Sequence, residues 1–299
     1  MRCFYHPDYY FPLPAGHPFP MDKFWRAEAM IRAADCGARI ELAQLAPLAA
    51  VRRVHTEDYL EKIRGNTLDP AEALKLGLPA GAALLERSRL EVGGTLAATA
   101  AALEEGIACN LAGGTHHAFA DRGLGYCVLN DVAIAIRELE AREPGHRYAV
   151  IDTDAHQGNG THGLFAGDDH VFTYSIHVGR NYPAVKTPGD LDVELPRNVH
   201  GTDYLEQLEA TLAPALDEAA PDFVFWISGA DPHVNDRFGQ MQLTDADLKA
   251  RDRHVLEQVT VLGVPLVLLY GGGYNRDPEH TARLHANTVI LAAEFAARS

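Results

Sequence analysis

The sequence predicts an α/β fold. A mainly parallel β-sheet with helices on both faces would form a single domain over residues 1–299. Three observations carry this. Apolar runs of strand length alternate with helix-length periodic runs, the order that builds parallel sheets. The strand runs are continuously apolar rather than alternating, as expected when both faces are covered. Four of them lead into glycine-containing turns that present His, Asp or Tyr, and ligands collect at such C-terminal strand ends.

The candidate strands are 2–5, 107–112, 148–153, 170–176, 222–228 and 264–270. The candidate helices are 22–35, 56–64, 92–105, 130–142, 203–219, 244–262 and 279–297. In chain order, Ile107–Ala112 is apolar and runs into Gly113-Gly114-Thr115-His116-His117. Asn130-Asp131 opens a helix as a capping pair. Tyr148–Ile151 leads into Asp152-Thr-Asp154-Ala-His156-Gln157-Gly-Asn159. Phe223–Ile227 leads into Ser228-Gly229-Ala230-Asp231. Thr244-Asp245-Ala-Asp247 has the form of another helix cap. Val264–Tyr270 leads into Gly271-Gly272-Gly273-Tyr274. Residues 65–91 and 178–202 lack clear periodicity and are expected to be long loops over the sheet.

At 47% hydrophobic residues the chain can bury a sizeable core. Its formal net charge of −15 argues against direct nucleic-acid or anionic-membrane binding and favours attraction of cationic substrates. The cysteines Cys3, Cys36, Cys109 and Cys127 show no C-x-x-C spacing, so a disulfide framework is not expected. There is no secretory apolar region at the start and no run long enough to span a bilayer, so a cytoplasmic location is expected. Oligomeric state leaves no trace in the sequence.

Asp154 and His156 are two residues apart and, if on a strand, point to one side. With Asp231 they offer three ligands to a divalent ion such as Zn²⁺ and leave room for water and substrate. Such an ion polarises a carbonyl and acidifies bound water. His116 and His117 are candidates for proton transfer, and Tyr274 for donating to a developing oxyanion. The chemistry implied is metal-assisted amide hydrolysis.

These segments, in this order, resemble the zinc-dependent histone deacetylases of the arginase–deacetylase superfamily. Gly125-Tyr126-Cys127-Val-Leu-Asn130-Asp131 and His55-Thr56-Glu57-Asp58-Tyr59-Leu60 match further family segments. The resemblance runs from about residue 5 to 297. Asp-Ala-His-Gln-Gly-Asn-Gly, with His17-Pro-Phe-Pro-Met21 and Lys23-Phe24, is most similar to class IV and its bacterial relatives.

The resemblance implies that Asp154, His156 and Asp231 hold Zn²⁺, with Fe²⁺ the alternative. It pairs His116 with Asp152 and His117 with Asn159, and makes His117 the principal base. Gly125, Tyr126 and Tyr182 would line an acyl-lysine tunnel. A structural K⁺ would use Asp152, Asp154, His156, Ser175 and Ile176. The substrate would be an acyl-lysine protein or peptide, or an acylated polyamine. The stretch from Gly65 to Leu90 shows no clear Asp of the kind that grips substrate backbone in class I relatives. His233 reads as a solvated loop histidine.

Two rivals have other chemistry. A two-manganese ureohydrolase needs more carboxylates, and Gly158 and Gly229 stand where it would carry Asp. A non-catalytic scaffold would have no need of His116, His117 and Tyr274.

Overall fold

The computed structural model describes residues 1–298. Its strands are β1 (Arg2–Tyr5), β2 (Arg39–Leu42), β3 (Ile107–Asn110), β4 (Tyr148–Asp152), β5 (Val171–Val178), β6 (Leu191–Leu195), β7 (Phe223–Ile227) and β8 (Leu266–Leu269). They form one sheet in the order β2-β1-β3-β8-β7-β4-β5-β6, and every neighbouring pair is parallel. All residues of β3, β4, β7 and β8 are buried. This explains their uninterrupted apolar runs, because helices cover both faces.

The helices are α1 (Lys23–Ala33), α2 (Leu48–Val51), α3 (Glu57–Gly65), α4 (Pro70–Leu76), α5 (Ala82–Glu105), α6 (Asp131–Arg142), α7 (Asn159–Phe165), α8 (Gly201–Ala219), α9 (Asp245–Leu262) and α10 (Pro278–Ala296). One connected group runs α1, α10, α9, α8; another links α3, α5 and α6. The expected caps are present. Asn130 accepts from the Ala133 N–H, and Thr244 with Asp247 closes a capping box.

The two expected loops need correction. Residues 65–91 contain α4 and the first turns of α5. Asp69 and Glu72 close a capping box around Pro70, and Gly77 ends α4 in the left-handed region at φ 72°. The start of α5 was hidden by charge. Arg87 and Glu91, four residues apart, are both buried as an ion pair, and Arg87 Nε also donates to the Tyr9 carbonyl. Residues 178–202 contain β6, whose Leu-Asp-Val-Glu-Leu alternates because it is an edge strand. The other edge, β2, escaped notice because Arg-Ile-Glu-Leu is mostly exposed and carries no apolar run.

The four cysteines are free thiols. No helix among the described residues is long and apolar enough to cross a membrane.

Candidate metal and catalytic site

The four strands that lead into chemically loaded turns are the four adjacent central strands, β3-β8-β7-β4. Their C-terminal turns therefore meet at one place, although up to 158 residues separate them in the chain, from His116 to Tyr274.

After β4 the chain leaves strand geometry, so Asp154 and His156 do not converge by strand alternation. They converge through a tight turn. The Asp154 N–H donates to Asp152 Oδ1, and the His156 N–H donates to Asp154 Oδ1 at 2.9 Å. His156 Nδ1 lies 3.0 Å from Asp154 Oδ1 and 2.9 Å from Asp231 Oδ2. The three ligand atoms fall within 4.8 Å of one another, and all three residues are buried. Backbone amides hold both carboxylates. The Ala155 N–H donates to Asp231, and the Gly272 N–H to Asp154 at 2.7 Å. Gly272 is required here, since a Cβ would sit 2.3 Å from Asp231 Oδ2 and 2.6 Å from Asp154 Oδ2.

Electrostatics describe the same trap. Against the desolvation of burial, His116 and His156 hold the Asp154 carboxyl well below its usual range. Burial and the Asp154 charge push Asp231 up to about 7. Burial opposes a charge on His156, yet Asp154 and Asp231 hold its pKa well above the ordinary value. Two buried carboxylates facing each other call for a cation, and a divalent ion suits this donor set.

The histidine pair follows β3. Gly113 and Gly114, at φ 75° and 72°, turn the chain so that the rings of His116 and His117 lie side by side, centroids 4.0 Å apart and tilted by 44°. Asp131 fixes this turn. Its carboxylate accepts from the Gly114 N–H, the Thr115 N–H and hydroxyl, and Thr95 Oγ1. His116 Nδ1 donates to Asp152 Oδ2 at 2.6 Å, and His117 Nδ1 donates to Asn159 Oδ1 at 2.8 Å. Both therefore present Nε2 to the site. Burial opposes the charged form of His116, but Asp152 and Asp154 raise its pKa to about 9. Burial, then the neighbouring His116 and His156, push His117 well below the ordinary histidine value.

Tyr274 follows β8. Its N–H donates to Asp236 Oδ2, and its ring packs near Phe19, Tyr126 and Phe238. Burial, then Asp154 and Asp231, raise its pKa well above 10, so the phenol keeps its proton. A cavity of about 320 Å³ leads inward between Tyr126 and Tyr182 to His117, His156 and Tyr274. Gly125 permits its narrow wall at φ 51°, where a Cβ would meet His117 at 2.8 Å and Tyr182 at 2.9 Å. The overall acidity does not extend to this opening. No Asp or Glu lines the cavity among the described residues, while Lys75 and Arg237 do.

The expected K⁺ residues are neighbours. Asp152 pairs with Ser175 across β4 and β5, and Ile176 follows. Ser175 Oγ lies 2.9 Å from His177 Nδ1.

His233 is not solvated. It is buried, its Nδ1 accepts from the Asn235 N–H, and its Nε2 donates to Asp245 Oδ1 at 2.9 Å. His280 Nε2 meets the same oxygen at 3.0 Å. Because the Asn235 amide occupies Nδ1, the proton of neutral His233 sits on Nε2. The trio is thus a hydrogen-bonded cluster at the start of α9.

Several residues that organise the site were missed. The sequence marks Asp131 only as the start of a helix, whereas its carboxylate also holds the histidine turn. Asp236 accepts from the Phe238, Gly239 and Tyr274 amides. Lys23 is buried, donates to the Gly271 carbonyl and lies 5.6 Å from the Tyr274 ring centroid. Arg251 is buried and donates to the Gly229 carbonyl at 2.8 Å. The last two sit in helices, where a single charge reads as solvated surface. Only their fully buried positions reveal them.

A parallel sheet that gathers two carboxylates, a coordinating imidazole and a histidine pair at one floor defines a hydrolase of the arginase–deacetylase superfamily. Comparison with known proteins narrows this. Residues 17–290 match the histone deacetylase domain, and the chain belongs to that family. It is 40% identical over 277 residues to an uncharacterized protein of Picosynechococcus sp., covering 91% of this chain and 92% of that one. It is 29% identical over 290 residues to Histone deacetylase 2 of Arabidopsis thaliana, covering 91% and 73%. Acetylpolyamine aminohydrolase from Burkholderia pseudomallei shares the fold with a TM-score of 0.80 at 24% identity, covering 98% of both chains.

Proposed function

We propose that this deacetylase-family hydrolase is a zinc-dependent lysine deacylase of class IV type, acting as one catalytic domain over residues 1–299 in the cytoplasm. The observation that carries the reading is the convergence of Asp154, His156 and Asp231 opposite His117 at the floor of a narrow aromatic-walled cavity. Zn²⁺ held by these three would polarise the amide carbonyl and bring water into a nucleophilic state near neutral pH. Fe²⁺ fits the same donors.

The chain's own groups supply the rest. His117 is kept neutral by burial, with its Nδ1 proton committed to Asn159, so Nε2 can take a proton and return it to the leaving amine. His116, paired to Asp152, contributes fixed positive character beside it. The protonated Tyr274 hydroxyl can donate to the carbonyl oxygen as charge develops there. Gly125, Tyr126 and Tyr182 fit around an unbranched alkyl stem. A structural K⁺ at Asp152, Asp154, His156, Ser175 and Ile176 is part of the proposal. It is supported by the pairing of Asp152 with Ser175 across β4 and β5, with Ile176 next in the chain.

The test is turnover by the metal-loaded protein of lysine peptides acylated from acetyl to myristoyl, with acetylpolyamines alongside. Hydrolysis of acyl-lysine peptides is expected. Turnover of acetylpolyamines alone would replace the substrate, and no turnover despite bound metal would favour a scaffold.

A further inference from the structure

The mouth of the cavity differs in charge from the molecule as a whole. The chain carries −15, yet the mouth displays cations. Lys75 stands on the Tyr126 wall. Its carbonyl accepts from the Gly125 N–H, and the Leu76 carbonyl accepts from the Tyr126 N–H, so the end of α4 is strapped to the tunnel. Arg237 stands on a second loop, held because Phe238 accepts from Asn181 and Asp236 accepts from three amides. Both side chains are exposed, and neither makes an ion pair among the described residues.

Beyond Arg237 the surface opens into a second depression of about 770 Å³, also lined by Arg276. Arg276 too is exposed and unpaired among the described residues. Two carboxylates also border this depression, each hydrogen-bonded to backbone amides of its own segment. Asp236 faces backbone amides, and Asp277 caps α10 by accepting from the Glu279 N–H. Arg237, shared by the cavity and the depression, and Arg276 are both exposed to solvent.

Resting on the acyl-lysine reading, we propose that the substrate is an acyl-lysine within an acidic stretch of polypeptide. Carboxylates flanking the lysine would be held by Lys75 on one wall and by Arg237 and Arg276 along the adjoining depression. A polyamine enters with its free ammonium groups against the same three cations, which disfavours it. An acyl-lysine flanked by Lys or Arg meets the same repulsion. Exposed pairs of this kind change affinity by about two- to fivefold per charge, so a doubly acidic against a doubly basic peptide should differ by tens of fold. The difference is expected to shrink with salt, since screening acts over roughly 8–10 Å.

The experiment measures kcat/KM of the metal-loaded protein, at low and high salt, on capped Ala-flanked, Asp-flanked and Arg-flanked acetyl-lysine peptides and on acetylspermidine. Expected is Asp-flanked over Ala-flanked over Arg-flanked, with acetylspermidine below the neutral peptide, and compression of the series by salt. Lys75→Glu with Arg237→Glu should reverse the order, and the neutral replacements Lys75→Gln with Arg237→Gln should flatten it. Turnover of the neutral peptide with a flat or reversed series in the unaltered protein would overturn the inference alone. Failure on every peptide would overturn the acyl-lysine reading with it.

Discussion

Asn159→Asp changes one atom type beside the proposed base and should move the pH at which it works. In the native protein an uncharged amide oxygen accepts the His117 Nδ1 proton at 2.8 Å. A carboxylate could accept the same proton, so the ring's orientation should survive while a negative charge is added. Two unit charges about 4 Å apart attract by roughly 4 kcal/mol at an effective dielectric of about 20, equivalent to roughly three pH units. Desolvation of the new carboxylate and repulsion from the neighbouring His116 oppose this, leaving an expected rise of about one to two. The protein contains its own comparison. His116, partnered by the Asp152 carboxylate, is raised to about 9, while His117, partnered by an amide, is depressed. The base must be neutral. A raised pKa keeps it protonated to higher pH, so the acidic limb of kcat/KM should shift upward by that amount. The native limb should lie below the ordinary histidine range. The assay is a pH–rate profile on one uncharged acyl-lysine peptide with metal content matched. An unmoved or lowered limb would show that Asn159 does not set the charge state of the base.

Asp231→Ala should cut bound metal from one ion per chain to a small fraction, read by elemental analysis, with activity lost in parallel. Two tightly held ions in the native protein would instead revive the ureohydrolase chemistry. Tyr274→Phe should keep metal and fold while kcat falls on the order of 10²–10³-fold, as for other oxyanion donors; near-native kcat would make Tyr274 a packing residue. Gly272→Ala drives a methyl against Asp154 and Asp231 and should weaken metal affinity by roughly 10–100-fold, measured by competition with a chelating dye. Asp131→Ala strands the Gly114 and Thr115 amides and should cost about 1–3 kcal/mol for each donor left buried and unpaired, read by denaturant unfolding.

The central part of the fold was legible because burial on both faces leaves an unmistakable apolar run, and β3, β4, β7 and β8 all show one. The two edge strands were not, because solvent exposure replaces that signal with charge in β2 and alternation in β6. The residues at the strand ends were legible as a set because each segment combines glycine with a rare polar pattern. The pairings of His116 with Asp152 and His117 with Asn159 came from family resemblance, and the structure holds each pair within hydrogen-bond distance. Lys23, Arg251 and Asp236 were beyond reach. Their importance lies in burial and in carbonyls or amides they touch across the fold, and neither is written in local sequence. The cations at the mouth were out of reach for a similar reason, since a total of −15 says nothing about where Lys75 and Arg237 stand.

The strand order has a consequence for biosynthesis. β8 lies between β3 and β7, and it alone hydrogen-bonds the three-stranded part β2-β1-β3 to the four-stranded part β7-β4-β5-β6. It is also the last strand to be synthesised. A chain that stops before Leu266 lacks the strand that joins them, so β2-β1-β3 and β7-β4-β5-β6 would share no hydrogen bonds. The apolar β3 and β7 edges would then be unpaired, the kind of edge that mispairs with another chain. The same segment runs directly into Gly272, whose N–H donates to Asp154, and Tyr274. Closure of the sheet and the Gly272–Tyr274 part of the site therefore depend on the same stretch of chain, and a truncation before Leu266 removes both.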